Sequence, residues 1–281
     1  MRGRRFLTLA AVATALTAGT SAFAAEPRAV IELFTSQGCS SCPPADKLLG
    51  DLAKDPKVIP LSLAIDTWDY LGWKDTLAVP GHAKRQKAYS HMRGDHEGVY
   101  TPQAVINGSL QALGSDRAAI ERAITDSHKQ NAATLSVPLS LTLDHGRLNV
   151  SAPAEATKGT NAEAWLCPVS KSVAVTIARG ENSGNTFTYH NVVRRWVKLG
   201  VWNGTATSWS IPLAEFKSEG VDAVAVILQS GVASAPGPMI GAAYLSLDEA
   251  ATAQSISDRR GELLHAAHFF SMMRANPRAH S

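Results

Sequence analysis

Short apolar runs alternate with segments of helical spacing over the first half of the chain. Val30-Ile31-Glu32-Leu33-Phe34 is β-branched and aromatic, the composition of a buried strand. Leu48, Leu49 and Leu52 then recur at helical spacing among helix formers, and Pro56 follows, which predicts a helix over 45–54. A second apolar run at 58–65 predicts a strand that tolerates Pro60 near its start. The polar stretch 81–93 predicts a helix. Residues 101–108 predict a strand closed by Asn107-Gly108, a pair suited to a tight hairpin turn, so 109–114 is expected to return antiparallel. Ser115 with Asp116 offers an N-cap to a helix reaching about 129, with Ala119, Ile120, Ala123 and Ile124 as its apolar stripe.

Beyond residue 130 the texture changes. Runs at 135–144, 147–151, 162–165, 172–178, 186–197, 208–211 and 221–229 are short, β-rich and mostly separated by Gly, Asn, Pro or Ser. Polar and apolar residues alternate through Leu139-Ser140-Leu141-Thr142-Leu143, and the spacing of the runs predicts an antiparallel sandwich. After residue 250 the chain is polar apart from a weakly amphipathic patch at 263–273. The expected organisation is a leader at 1–24, an α/β domain at 25–131, an all-β domain at 132–249 and a tail at 250–281.

The leader changes the charge picture. Met1-Arg2-Gly3-Arg4-Arg5 precedes a short apolar stretch and Ala22-Phe23-Ala24, the pattern of a secretory signal cleaved after Ala24. Arg2, Arg4 and Arg5 leave with it, so 24 basic residues face 24 acidic ones and the formal +3 disappears. A neutral chain gives no reason to expect nucleic acid or an anionic membrane surface as partner. No later run is long enough to span a membrane, so the expectation is a periplasmic or secreted protein. Export also favours disulfides. Three cysteines pair naturally as Cys39 with Cys42, leaving Cys167 among apolar neighbours as a buried thiol.

Cys39-Ser40-Ser41-Cys42 lies between the first predicted strand and helix. A helix N-terminus carries partial positive charge, which favours a thiolate at Cys39, and Cys42 is spaced to close the ring. Such a dithiol suits reversible exchange with thiols or disulfides of proteins or small molecules. A soft metal site is the second possibility, with His82, His91 and His96 as added ligands for copper. The third is a non-catalytic interaction protein in which the disulfide is structural, although so small a loop restrains the unfolded chain little.

The order β-α-β-α-β-β-α with the dithiol at the first turn resembles the thioredoxin fold, and Thr101-Pro102 before the third strand adds a specific detail. The resemblance implies a thioredoxin-like α/β domain followed by the antiparallel sandwich. It implies that Pro102 is cis and faces Cys39 and Cys42, and that Thr101 beside it offers a backbone edge to substrate. It also implies that an acid on the first strand, Glu32, takes the proton of Cys42. Trp68 and Tyr70 follow the second strand and are expected to wall the same edge. The chain also resembles a family of exported bacterial proteins with a thioredoxin-like first half. The matching stretches are 32–44, Trp68-Asp69-Tyr70-Leu71-Gly72-Trp73-Lys74-Asp75, Tyr100-Thr101-Pro102-Gln103, Arg179-Gly180-Glu181-Asn182 and Tyr189-His190-Asn191-Val192-Val193-Arg194. Within the last two, Glu181, His190 and Arg194 are candidates for a ligand-binding or interdomain cluster. Neither resemblance implies a cofactor or resident metal.

Ser40 and Ser41 supply hydroxyls but no positive charge to the dithiol. Equilibration with a glutathione buffer is therefore expected to give a reduction potential clearly more negative than the roughly −120 mV of strong oxidants. A value at that level would show that charge beyond the dipeptide controls the thiol.

Overall fold

A computed structural model describes residues 26–94, 98–154, 161–252 and 254–255. The expected leader, most of the expected tail and His96 lie outside the described residues. The first half forms β1 (Ala29–Thr35), α1 (Pro43–Leu52), β2 (Val58–Ala64), α2 (Pro80–Arg93), β3 (Gln103–Ile106), β4 (Leu110–Leu113) and α3 (Arg117–Gln130). Asn107 and Gly108 both take positive φ at the β3–β4 turn, as a tight hairpin requires. Asp116 caps α3 by accepting the Ala119 N–H at 2.9 Å.

The second half adds β5 (Ser140–Asp144), β6 (Arg147–Ala152), β7 (Ala162–Thr176), β8 (Thr186–Val193), β9 (Val197–Trp202), β10 (Thr207–Pro212), a one-turn α4 (Leu213–Phe216), β11 (Ala223–Val232) and β12 (Ala235–Ser246). β7 is a single 15-residue strand through Pro168, where two runs were expected. β12 was not expected at all, because Pro236, Gly237, Pro238 and Gly241 hide it from any propensity argument.

The expected fold class, a thioredoxin-like α/β domain followed by a separate antiparallel sandwich, is corrected by the sheet itself. One nine-stranded mixed sheet runs β12-β11-β7-β8-β2-β1-β3-β4, with β9 also on β7. β8, from the second half, lies parallel to β2 and meets it at Ser62 and Val192. A separate first domain would leave that side of β2 as a bare edge. Alternation of polar and apolar residues shows which face a strand buries, not which strand fills its edge, and so the join was invisible. Only β5, β6 and β10 stand apart, as a three-stranded sheet. It covers part of the large sheet through Leu148, Val150, Leu166, Phe216, Val224 and Val226.

β1 is buried along its whole length, which accounts for its unbroken apolar run. Ile31 and Leu33 join α1 and α3 in one core, with Leu49, Ala104, Ile120 and Ile124. Val30 and Phe34 join a second core shared with Tyr89 and with Cys167, Val169, Ile227 and Met239 of the second half. The sheet is curled enough to bring these together: Met239 N–H reaches Asn107 O at 2.9 Å, linking β12 to the β3–β4 turn.

Glu32 points into this second core with no solvent exposure. Arg85 of α2 donates to its Oε1 at 2.6 Å, and Tyr89 donates to its Oε2 at 2.5 Å. Arg85 also donates to Gln229 of β11 at 2.8 Å and lies 4.1 Å from the Trp196 ring centroid. Burial acts to lower the Arg85 pKa, but the facing Glu32 carboxylate and the Tyr89 hydroxyl together outweigh it and hold the guanidinium above its ordinary value. Removing one partner strands the other charge. Glu32→Ala or Arg85→Ala is expected to cost about 3–5 kcal/mol in urea denaturation, whereas an apolar pair of similar volume recovers much of it. A single-substitution loss below about 1 kcal/mol would place the cohesion of the two halves elsewhere.

Candidate functional site

At the carboxyl end of β1 the chain leaves the sheet, makes two turns and enters α1. Cys39 N–H reaches Ser36 O at 3.1 Å, and Cys42 N–H reaches Cys39 O at 3.2 Å. Cys42 is the N-cap residue and Pro43 occupies the first helical position, where a missing N–H costs nothing. Cys39 and Cys42 form a disulfide with their Cα atoms 5.4 Å apart. Cys42 is sealed, whereas Cys39 retains 4% exposure and is followed by the exposed Ser40 and Ser41. The Thr101 hydroxyl donates to Cys39 Sγ at 3.2 Å, and the Ser41 hydroxyl lies 3.4 Å from it. Both would stabilise a thiolate formed there.

Three loops wall this corner. Thr101-Pro102 has a cis peptide bond. Trp68 Nε1 donates to Thr101 Oγ1 at 2.8 Å, and its ring stacks on Tyr70 with centroids 6.1 Å apart and planes at 28°. Tyr70 is 76% exposed, so Trp68 and Tyr70 form a shelf beside the sulfur. Gly38 allows this approach, because a Cβ there would stand 2.9 Å from Trp68 Cβ. Gln37 is fixed by Asp75, which accepts its N–H at 2.8 Å, and by Trp73, which donates to its side-chain oxygen at 2.8 Å. Asn182 reaches over from the β7–β8 loop and donates to Gln37 O at 2.9 Å and Cys39 O at 3.0 Å. Its reach across the halves had no sequence signal beyond the Arg179–Asn182 stretch.

The profile of a family described as protein of unknown function (DUF1223) matches residues 30–229, spanning β1 to β11. The chain belongs to that family. The X-ray crystal structure of a protein from Agrobacterium tumefaciens is similar to this DUF1223 protein over 79% of this chain and 95% of that one, with 31% identity and a TM-score of 0.69. HBP35 of Porphyromonas gingivalis shares the fold at 15% identity and a TM-score of 0.55, over 80% of this chain and 76% of that one. No curated protein matches the sequence.

Glu32 does not serve the dithiol of the DUF1223 protein. It faces away from α1 and is held by Arg85 and Tyr89. Strand residues two apart share a face, so the core-facing side chain of Leu33, which packs with α1, already puts its neighbour Glu32 on the other side. The buried acid of α1 is Asp46, one helical turn after Cys42 in the chain, and its backbone N–H reaches Cys42 O at 3.1 Å. Residues four apart share a helix face, so this acid was legible in the spacing. Its Oδ1 is buried and has no hydrogen-bond partner among the described residues. Burial pushes its pKa up to about 8, and the charge of Asp75 adds to the rise, while the Thr35 hydroxyl opposes it. Asp46 also lines a cleft of about 340 Å³ between α1 and β8, so protons can leave by water.

The remaining candidates disperse. His82 is buried, donates Nδ1–H to Ala64 O at 3.0 Å and has its pKa lowered by burial to about 4. His91 is exposed near the end of α2. His190 packs on Gly50, Arg194 donates to Ser170 at 2.8 Å and Glu181 is exposed, so these three form no cluster. Among the described residues no three His, Cys, Asp or Glu side chains converge as metal ligands. Cys167 is buried, which raises its thiol pKa.

Asp46 fixes a pH dependence. A carboxyl whose folded pKa lies above its ordinary 3.8 contributes stability that is present below 3.8 and lost as pH rises through about 8. Asp46→Asn removes that loss, so its stability relative to the parent should rise from pH 5 to pH 9 in urea denaturation. A difference that stays flat over that range would show that Asp46 ionises normally.

Proposed function

We propose that this protein is a thiol–disulfide oxidoreductase acting at Cys39 and Cys42. The observation that carries the reading is the asymmetric disulfide: an outer sulfur flanked by the Thr101 and Ser41 hydroxyls, and an inner one sealed at the start of α1, the helix that also carries the buried acid Asp46. In the oxidative direction a substrate thiolate attacks Cys39 Sγ. The new S–S bond forms as the Cys39–Cys42 bond breaks, and the electron pair passes to Cys42 Sγ, which takes the proton of Asp46. The second substrate thiol gives its proton to water, and its thiolate displaces Cys39 from the mixed disulfide. Two electrons have then moved from the substrate dithiol to the protein. Reduction of a substrate disulfide is the same sequence reversed, with Asp46 now accepting the Cys42 proton.

The hydroxyl donors favour Cys39 as leaving thiolate, since a lower thiol pKa leaves faster. The Trp68–Tyr70 shelf supports a substrate whose flanking side chain packs beside the sulfur. The leader pattern supports an oxidising compartment, where such exchange is useful.

Cys39→Ser and Cys42→Ser should each abolish turnover of a peptide disulfide, and Cys42→Ser should accumulate a mixed disulfide through Cys39 that is released by dithiothreitol. If both variants turn over the peptide at the rate of the parent, the disulfide is structural and the proposal fails.

A further inference from the structure

Exchange chemistry needs only the two sulfurs, a proton relay and a way in, yet a loop from the distant half of the chain is fastened over one side of Cys39. That loop, residues 177–185, is internally pinned. Gly184 N–H reaches Ile177 O at 2.8 Å, Ile177 N–H reaches Asn185 O at 2.9 Å and Ser183 Oγ donates to Ala178 O at 3.0 Å. Its Gly180 stands near Leu71 O and Trp73 Cβ, so the loop leans on the segment that also grips Gln37. Asn182 is 7% exposed, and its amide ties Gln37 O and Cys39 O from above. The Gln37 side of the disulfide is therefore closed by a rigid cap. The Ser40–Ser41 side stays open, with Ser40 and Ser41 exposed and Tyr70 76% exposed on the neighbouring shelf.

We propose that Asn182 is the specificity-determining residue of the site: the loop it clamps admits a cysteine presented on an extended peptide along the open side, and turns away a cysteine on the convex surface of a folded protein. This rests on the redox reading above and names the substrate class for it. A convex partner needs clearance on both sides of the sulfur it attacks, and the loop of Asn182 takes up the Gln37 side. An extended chain needs a single lane, and the shelf gives one neighbouring apolar side chain a flat surface to cover.

The test measures reduction of the Cys39–Cys42 disulfide by three probes: dithiothreitol, an unfolded peptide with cysteine beside phenylalanine, and reduced thioredoxin as a folded dithiol protein. In the parent the peptide should outrun thioredoxin when both are referred to dithiothreitol. Asn182→Ala loses both clamping hydrogen bonds and should raise the thioredoxin rate, relative to dithiothreitol, by about tenfold or more. Asn182→Asp keeps the shape without the donors and should do the same, so a folding defect confined to one variant cannot decide the matter. Unchanged ratios in both, or rates that rise equally for all three probes, would overturn the proposal. The ratios are measurable even if no probe reacts faster than with a free model disulfide. That last result would sink the redox reading alone.

Discussion

A carboxylate with no access to water has to be matched inside the protein, and in this chain the match spans the two halves. Glu32 sits in the middle of β1, Arg85 on α2 answers it, and Gln229 on β11 completes the set through Arg85 and Tyr89. The attraction offsets a large desolvation cost, so the pair adds less to net stability than its short distances suggest. What it imposes is geometry: the face of β1 that carries Val30 and Phe34 can only be buried where α2 and β11 supply these partners. The other face is thereby left to α1 and α3, and with α1 the dithiol is placed.

The disulfide corner follows from that arrangement. Parallel strands β1 and β2 bring their carboxyl ends together, and segments after both strands meet there. The first carries the sulfurs, the second the Trp68–Tyr70 shelf, and a later one Thr101. The β7–β8 loop reaches the same corner with Asn182, which donates to Cys39 O. The two buried acids differ in face: Glu32 is paired with Arg85 across the halves, whereas Asp46 lies on α1 one turn after Cys42.

Much of the first half was legible because its signals are local. Asn107-Gly108 specifies a turn, Asp116 specifies a cap, and the run at 58–65 is apolar because both faces of β2 are covered. Asp46 was legible too, four residues from Cys42, but a strand acid drew attention first. The rest depended on contacts distant in sequence. Nothing local in Val192 says that it meets Ser62, and nothing in Asn182 says that it reaches Cys39 O. β12 lies at the far extreme: it earns its place by pairing with β11 despite two prolines and two glycines.

The placement of β8 makes the half that carries the disulfide an unfinished object on its own. A chain ending near residue 131 would keep the sulfurs, the shelf and Thr101, but the side of β2 that meets β8 at Ser62 would become a free edge. Such an edge is a template for strands of neighbouring molecules. Glu32 would also lose the β11 end of its network. The sheet therefore ties the thiol pair to its cap: cutting the chain near residue 131 removes both the strand beside β2 and the loop that carries Asn182.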